Sequence, residues 1–197
     1  MKVLVTGGNR GLGKHLVEEF NGVSISRADD LDITKHYQTI ANLSLEYDVF
    51  INNAFDGPPQ EEWANFGQSH LYVAVYDVWK LNNKNGWIIN IGSIGEKSIV
   101  APEPRFETYR ISKAALAHAS KQGIAAFKSN QVLFKTTLIT IDRLNTELSR
   151  SRPTWTGNGI DLKDISNFIK YARTLDHNTC IEEITFYCNL NYSTEIQ

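Results

Sequence analysis

Short runs of apolar residues alternate along this chain with longer segments in which apolar residues recur every three or four positions. The runs predict buried strands, and the longer segments predict helices with one apolar face. The predicted strands are Val3–Val5, Gly22–Ser26, Val49–Ile51, Trp87–Ile91, Gln131–Ile141 and Glu183–Cys188. The predicted helices are Gly13–Phe20, Thr34–Leu43 with Thr34 as its cap, Trp63–Leu81, Glu107–Lys128 and Asp161–Arg173.

Strands that alternate with helices predict a parallel sheet covered on both faces. Right-handed crossovers then limit the topology to a doubly wound, Rossmann-like sheet. No repeat, low-complexity segment or internal boundary interrupts the 197 residues. The sequence therefore predicts an α/β fold in which residues 1–197 form a single domain.

Composition argues against several classes of partner. The net charge is -2, and no run of basic residues interleaved with aromatics appears, so nucleic acid is not expected to bind. No stretch reaches about 18 consecutive apolar residues and no signal peptide is apparent, which predicts no membrane partner and a cytoplasmic location. The five histidines show no ligand spacing, so no metal site is predicted, and Cys180 and Cys188 are expected to be reduced thiols.

A glycine-rich turn follows the first predicted strand. Gly7, Gly11 and Gly13 stand at the spacing Gly-x-x-x-Gly-x-Gly, between that strand and the first helix. A nucleotide pyrophosphate needs a tight turn, a close backbone approach and a helix N-terminus directed at it. Glycine allows all three, because a Cβ would block the phosphates or strain the turn. The loop predicts a dinucleotide cofactor.

A tyrosine and a lysine lie four residues apart in the long alanine-rich helix. Tyr109 and Lys113 therefore share one helix face. An ammonium near a phenol favours the phenolate, so Lys113 is expected to lower the pKa of Tyr109 and make it a usable acid or base. Ser93 lies sixteen residues before Tyr109, just after a predicted strand, where its hydroxyl could hold a substrate oxygen.

The glycine loop, Ser93, Tyr109 and Lys113, in this order, resemble the short-chain dehydrogenase/reductase family from residue 1 to about Glu147. The resemblance implies a nicotinamide cofactor and Ser93, Tyr109 and Lys113 as catalytic residues. It implies cofactor contacts from Gly7, Asn9, Arg10, Gly11, Leu12, Gly13, Arg27, Asp32, Ile33, Asn53, Ala54, Tyr109, Lys113 and Thr146. In the family, Asp32 and Ile33 would meet the adenine, Asn53 and Ala54 the adenosine ribose, Lys113 the nicotinamide ribose and Thr146 the carboxamide.

Two arginines favour NADP over NAD. A carboxylate at the end of the second strand would bind the ribose hydroxyls of NAD and repel a 2′-phosphate. This chain instead has Arg27 there, and Arg10 lies in the glycine loop. Arginine can grip a phosphate with its planar fork, so NADPH is the predicted cofactor. Asp29 and Asp30 lie close by in the sequence, and NAD remains the alternative.

The sequence departs from the family pattern at three places. Phe55 replaces the glycine of the family's Asn-Asn-Ala-Gly, and Ile141-Asp142 replaces a Pro-Gly before Thr146. The family also carries an asparagine that completes a proton relay before the serine. At that spacing this chain has Gln68, Ser69 and His70, with Asn65 one helical turn earlier.

These observations predict an NADP(H)-dependent carbonyl reductase or alcohol dehydrogenase with a Ser-Tyr-Lys acid/base site and a small carbonyl or alcohol substrate. The resemblance implies a homodimer or homotetramer formed through the two long helices. One alternative is a non-catalytic NADP-binding redox sensor or structural protein, which the three departures favour. Another is a nucleotide-sugar epimerase, for which the short C-terminal part leaves little room.

Overall fold

The computed structural model describes residues 1–55, 66–97, 107–152, 155 and 157–188. Six strands form one sheet in the order β2-β1-β3-β4-β5-β6, and all of them are parallel. The strands are β1 (Val3–Thr6), β2 (Val23–Ile25), β3 (Val49–Asn52), β4 (Trp87–Ile91), β5 (Lys135–Ile141) and β6 (Glu183–Phe186). The helices are α1 (Gly11–Phe20), α2 (Tyr37–Leu43), α3 (Gly67–Leu81), α4 (Glu107–Lys128), α5 (Glu147–Arg150) and α6 (Leu162–Arg173).

Helices cover both faces of the sheet, which confirms the predicted doubly wound, Rossmann-like α/β fold. One apolar core lies between the strands and α2, α3 and α4, and it includes Phe50 and Trp79. The other lies between the strands and α1 and α6, and it includes Ile51 and Leu16. Phe50 and Ile51 are neighbours in β3 and point to opposite faces, because side chains alternate along a strand. Both faces are buried at β3, so Val49, Phe50 and Ile51 are apolar in succession.

The largest buried side chain shows how the α3 face is closed. Trp79 is fully buried, and its indole N–H donates to the Ser44 hydroxyl at 2.8 Å. Ser44 in turn donates to the Ala41 carbonyl oxygen at 2.6 Å. A buried indole needs such an acceptor, since an unpaired N–H would lose its bond to water. The pair fixes α3 against the segment that follows α2.

The predicted cap of α2 is wrong. The helix begins at Tyr37 with His36 at its N-cap, and no side chain accepts a hydrogen bond there. Thr34 instead donates its backbone N–H and its hydroxyl to Asp32 Oδ1, at 2.8 and 2.7 Å. Short polar side chains often form such local turns in place of a helix start, and here the turn delays the helix.

Both α4 and β4 begin and end as predicted, and most other bounds differ by a few residues at one end. The strand predicted from Gln131 begins at Lys135, because residues 131–134 form a connection that still buries Val132 and Phe134. The last strand ends at Phe186 rather than at Cys188. The predicted start of α3 at Trp63 lies outside the described residues.

Two further properties bear on function. In the part of the chain that the structure describes, no helix is both long enough and apolar enough to cross a membrane. Among the same residues, no three His, Cys, Asp or Glu side chains come together in a way that could hold a metal ion.

Candidate functional site

Most of the residues singled out in the sequence lie near the carboxyl ends of the strands, chiefly those of β1, β2, β3 and β4. All strands are parallel, so these ends share one edge of the sheet. β1 has β2 on one side and β3 on the other, and the chain order reverses at that point. A doubly wound sheet opens a crevice outside the carboxyl ends where its strand order reverses, and such crevices bind ligands.

The glycine loop has the shape of a phosphate cradle. Gly7 and Gly11 adopt positive φ angles of 72° and 55°, which disfavour any side chain. A Cβ at Gly13 would collide with the Gly7 carbonyl oxygen and lie 2.6 Å from Asn53 Nδ2. A Cβ at Gly11 would have its nearest neighbour, Thr146 Cγ2, at 3.7 Å, so the start of α1 is open there. These residues fit a dinucleotide whose pyrophosphate meets the N-terminus of α1.

Leu12 and Ile33, both named as cofactor contacts, bury their side chains in the two apolar cores. Leu12 is 5% exposed and packs on the α1 face of the sheet, and Ile33 is 5% exposed and packs on the α3 face. Any contact of these residues with a cofactor is therefore left to their backbone atoms.

Asn53 and Ala54 hold the start of the glycine loop. The Asn53 side chain donates to the Thr6 carbonyl oxygen at 3.0 Å. The backbone N–H groups of Asn53 and Ala54 both donate to the Thr6 hydroxyl, at 3.0 and 2.9 Å. The end of β3 is thus fastened to the end of β1, and the two residues brace the loop.

Arg27 and Asp29, whose charges bear on the choice between NADP and NAD, both lie just after the end of β2. Asn9 Nδ2 donates to the Ser26 hydroxyl at 2.7 Å, which ties the glycine loop to this strand end. Asp29 folds back, so that its carboxylate accepts from the Ser26 N–H at 2.9 Å and from the Ser26 hydroxyl at 2.8 Å. Arg27 is exposed beside them. Ser26 and Asp29 stand at the Ser-x-x-Asp spacing that is typical of a capping box. The capping box brings the Asp29 carboxylate nearer to the end of β2 than its position in the sequence suggests.

Asp32 lies close to this strand end. Burial alone would raise its pKa, but the hydrogen bonds from Thr34 and the charges of Arg27 and Lys35 hold the pKa of Asp32 below its ordinary value. The carboxylate is therefore ionised at neutral pH. One oxygen, Oδ1, is already engaged by Thr34.

Ser93 and Tyr109 lie together next to this loop edge. Ser93 follows β4, is 8% exposed, and its Oγ accepts a hydrogen bond from the Gly95 N–H at 3.2 Å. A Cβ added at Gly95 would lie 3.4 Å from Tyr109 Cε1 and 3.5 Å from Ser93 Oγ, so the two side chains flank the same glycine. Burial raises the pKa of Tyr109, and hydrogen bonding from Ser93 and the charge of Arg152 offset this only in part. The expectation that Lys113 lowers this pKa is wrong.

Lys113 is not among the charges that shift the pKa of Tyr109, and its ammonium makes its hydrogen bonds to other groups. Its Nζ donates to Gln68 Oε1 at 2.7 Å and to the Ile91 carbonyl oxygen at 3.0 Å. The nitrogen stays 5.8 Å from the centre of the Tyr109 ring. Lys113 is 4% exposed, and burial lowers its pKa to about 7, with the Glu96 charge opposing the shift.

Many solved structures resemble this one. The closed form of a serine dehydrogenase complexed with NADP+ has a TM-score of 0.72 and 18% identity, over 99% of this chain and 97% of that chain. A short-chain dehydrogenase from Burkholderia cenocepacia J2315, in complex with NADP, has a TM-score of 0.69 and 21% identity, over 94% of this chain and 87% of that chain. The chain has the short-chain dehydrogenase fold. A 4-hydroxyisoleucine dehydrogenase complexed with NADH is similar at a TM-score of 0.71 and 17% identity, over 93% and 96%.

The similarity is one of fold. No protein-family model matches this sequence, and no curated protein matches it.

Within the short-chain dehydrogenase fold, Phe55 is the most consequential departure. Its ring meets the Tyr109 ring edge to face, with centroids 4.9 Å apart and an interplanar angle of 86°. Lys113 Nζ lies 5.1 Å from the centre of the Phe55 ring. The phenyl ring therefore covers one side of the Tyr109–Lys113 pair, a position that the sequence could not reveal.

The second departure from that fold's pattern extends the sheet. Ile141 is the last residue of β5 and pairs with Phe186, and the Asp142 N–H donates to the Phe186 carbonyl oxygen at 3.0 Å. Ile141 and Asp142 therefore continue the β5–β6 pairing to the end of β6. Thr146 follows as the N-cap of α5, where its hydroxyl accepts from the Ser149 N–H at 3.2 Å.

The third departure concerns the relay asparagine that the short-chain dehydrogenase pattern leads one to expect. Of the three residues at that spacing, only Gln68 reaches Lys113. Ser69 donates to the Ser112 carbonyl oxygen at 3.3 Å, and His70 is exposed. The spacing identified the three residues, but the rotation of α3 about its axis selects among them.

Proposed function

We propose that this protein is an NADP(H)-dependent oxidoreductase that interconverts a small carbonyl compound and its alcohol. The observation that carries the proposal is that Ser93 and Tyr109 lie together on either side of Gly95, beside the buried Lys113 and at the sheet edge that holds the glycine loop. Serine dehydrogenase and the Burkholderia short-chain dehydrogenase, each complexed with NADP, share the fold and support this class of reaction.

The cofactor would be held by the glycine loop and would supply or accept the hydride when bound. Gly7, Gly11 and Gly13 leave room for the pyrophosphate, and Asn53 and Ala54 brace the loop from β3. Thr146 lies against the loop at Gly11. Asp32 and Ile33 are proposed to border the adenine.

Ser93 and Tyr109 would bind the substrate oxygen. Ser93 Oγ is fixed from one side by the Gly95 N–H, so its position does not depend on the substrate. The raised pKa of Tyr109 keeps the phenol protonated at neutral pH, which suits a proton donor in carbonyl reduction. Lys113, one helical turn away and with its pKa near 7, is able to return a proton to the site.

The test is to titrate the purified protein with NADPH and NADH, and then to assay a panel of small ketones, aldehydes and hydroxy compounds. Tight binding of a nicotinamide, with oxidation or reduction that needs a carbonyl or alcohol, is the expected result. Failure to bind either nucleotide would sink the proposal. Binding without turnover on any compound would favour the second candidate.

That second candidate is a non-catalytic, NADP-binding redox sensor or structural protein, and Phe55 is the observation that favours it. The ring lies on Tyr109 and over Lys113, where it restricts access to both groups. A glycine at this position would leave them open. Turnover that appears only in Phe55→Gly would identify a chain that binds the cofactor but withholds its site.

We propose that NADPH is preferred because Arg10 and Arg27 both lie exposed at the loop and at the end of β2. The carboxylate of Asp29 beside Ser26 works against a phosphate, and the arginines are expected to outweigh it. Arg27→Ala should weaken NADPH binding by about tenfold or more relative to NADH, since a hydrogen bond to a charged group contributes about 1.5–3 kcal/mol.

The control for this measurement is Arg173→Ala, which removes an exposed arginine from the last turn of α6. Dissociation constants for the two nucleotides, obtained by fluorescence titration, give the ratio directly. An NADPH/NADH ratio that stays the same in Arg27→Ala and in the parent would contradict a 2′-phosphate contact.

We also propose a homodimer or homotetramer built on the outer faces of α3 and α4. Val73 on α3 and Ile111 on α4 are 47% and 53% exposed, which is high for apolar side chains. Ala114 and Ala115, which follow Ile111 on α4, are small and are not buried, so a second helix could approach closely there. A monomer in sedimentation analysis would contradict this assembly.

A further inference from the structure

We propose that Gln68 is a positioning residue for proton transfer, which fixes Lys113 by a direct hydrogen bond from the ammonium to its side-chain oxygen. This inference rests on the proposed function, because the proton transfer belongs to the same site. The hydrogen bond joins two side chains of this chain and involves no bound molecule.

The Gln68 side chain is locked in one orientation. Its Nε2 donates to the Asn52 carbonyl oxygen at 2.7 Å and to the Ile91 carbonyl oxygen at 3.1 Å, which uses both N–H groups. A flipped amide would direct an oxygen at two carbonyl oxygens, so Oε1 must face Lys113. The side chain is 3% exposed and spans the carboxyl ends of β3 and β4 to reach α4.

The backbone at Gln68 is held as firmly as the side chain. Asn52 Nδ2 donates to the Gln68 carbonyl oxygen at 2.9 Å and also to Asn90 Oδ1 at 2.9 Å. Asn90 in turn donates to the Ser120 hydroxyl at 2.9 Å. This buried network joins α3, β3, β4 and α4. Because this network fixes Gln68, its side-chain oxygen stays in place as the acceptor for the Lys113 ammonium.

Glutamine meets two demands that a carboxylate cannot meet together. The residue must donate to two carbonyl oxygens and accept from an ammonium, and only an amide does both. An uncharged acceptor also leaves the ammonium outside a tight ion pair, so burial dominates its titration. Lys113 can therefore gain and lose a proton near neutral pH, one helical turn from Tyr109.

The charged and titratable groups that face Lys113 within the described residues are few. Tyr109 lies on the same helix, with its ring centre 5.8 Å from Nζ. Glu96, in the 3-10 turn Ile94–Lys97, acts on Lys113 through its charge, and one of its own oxygens accepts from the Thr140 hydroxyl at 3.3 Å. The groups that contact Nζ from α3 and β4, at Gln68 and Ile91, are uncharged.

The test is an NMR titration of Lys113 in protein with isotopically labelled lysine, combined with the pH profile of kcat. The Lys113 signal is identified by its loss in Lys113→Met. Gln68→Glu is expected to raise the pKa of Lys113 by about one unit or more, because a carboxylate beside an ammonium favours the charged form. Gln68→Met, of similar volume, should lower this pKa, because the acceptor for the ammonium is gone.

Matched variants separate positioning from folding. Ser69→Ala changes the neighbouring buried residue, which bonds to Ser112 and not to Lys113, and should leave the titration of Lys113 unchanged. Gln68→Asn keeps the amide but shortens it, and serves if Gln68→Glu or Gln68→Met fails to fold. It should shift the pKa of Lys113 in the direction expected for Gln68→Met.

The outcomes distinguish this inference from the proposed function, because the titration needs no turnover. A Lys113 pKa that is the same in the parent and in the Gln68 variants would overturn the positioning role, even in an active enzyme. A shifted pKa with a matching shift in the pH profile of kcat supports the role. A shifted pKa in a protein that turns over no substrate leaves Gln68 holding Lys113 and refutes the oxidoreductase proposal instead.

Discussion

Tyr109→Phe is expected to lower kcat for the carbonyl–alcohol reaction by about 10²–10⁴-fold, the range that general acid/base catalysis contributes. The phenyl ring can keep the edge-to-face contact with Phe55, while the hydroxyl near Ser93 is lost. The dissociation constant for NADPH should change by less than about tenfold, since one neutral hydrogen bond contributes about 0.5–1.5 kcal/mol. Steady-state kinetics with a substrate from the panel, together with a nucleotide titration, measure both effects.

Tyr171→Phe is the matched control, because Tyr171 is 60% exposed on α6. Its kcat should equal that of the parent. If Tyr109→Phe turned over as fast as the parent, the phenol would not be the proton donor. If it lost NADPH binding along with activity, its main role would be to hold the cofactor.

Lys113→Met is expected to abolish turnover and to change how stability depends on pH. The pKa of Lys113 is about 7 in the folded protein and 10.5 in its ordinary state. Between these values the unfolded chain binds more protons than the folded one, so the folded state gains stability as pH rises. The gain is about 1.4 kcal/mol per pH unit in the middle of this window, and the full cost of the buried ammonium applies below about pH 7.

Urea unfolding of parent and variant at pH 6, 8 and 9.5 measures this dependence. The difference in the free energy of unfolding should favour Lys113→Met most at pH 6 and should shrink by a few kcal/mol towards pH 9.5. In the variant, Gln68 Oε1 and the Ile91 carbonyl oxygen lose their hydrogen-bond donor. The free-energy cost of this loss does not change between pH 6 and pH 9.5.

Tyr109 and Cys180 have pKa values raised by burial, and they titrate in both proteins, so the comparison removes their effect. Lys163→Met, at an exposed position of α6, is the control for removing a lysine. Two curves that run parallel from pH 6 to pH 9.5 would show that the Lys113 ammonium carries no burial cost in the folded protein.

At Lys113 the proposed activity and the stability of the fold place opposite demands on one side chain. A buried lysine without a tight ion pair is costly, and a folded chain keeps one only where the surrounding structure offsets the cost. Gln68 and the Ile91 carbonyl oxygen offset part of it by accepting the ammonium hydrogens. What remains is the lowered pKa, the property that would let Lys113 exchange a proton near neutral pH.

Local sequence determined the elements and the glycine loop. The apolar runs and the helical spacing predicted six strands and the bounds of α4, because both periodicities arise within one segment and need no distant partner. The positive φ angles of Gly7 and Gly11 likewise follow from the residue type that the turn requires. The spacing of Ser93, Tyr109 and Lys113 identified them as candidates, and the fold then brings them to one edge of the sheet.

Tertiary structure decided what these residues meet. The pKa of Tyr109 is raised rather than lowered, because burial depends on every element around the phenol and because Lys113 turns towards Gln68. The choice of Gln68 over Ser69 and His70 depends on the rotation of α3 against α4, which no local pattern records. Phe55 lies on Tyr109 only because β3 ends and α4 begins at the same edge. Contacts between residues far apart in the chain set the protonation of this site and the access to it. These contacts form only when the helices and strands pack together.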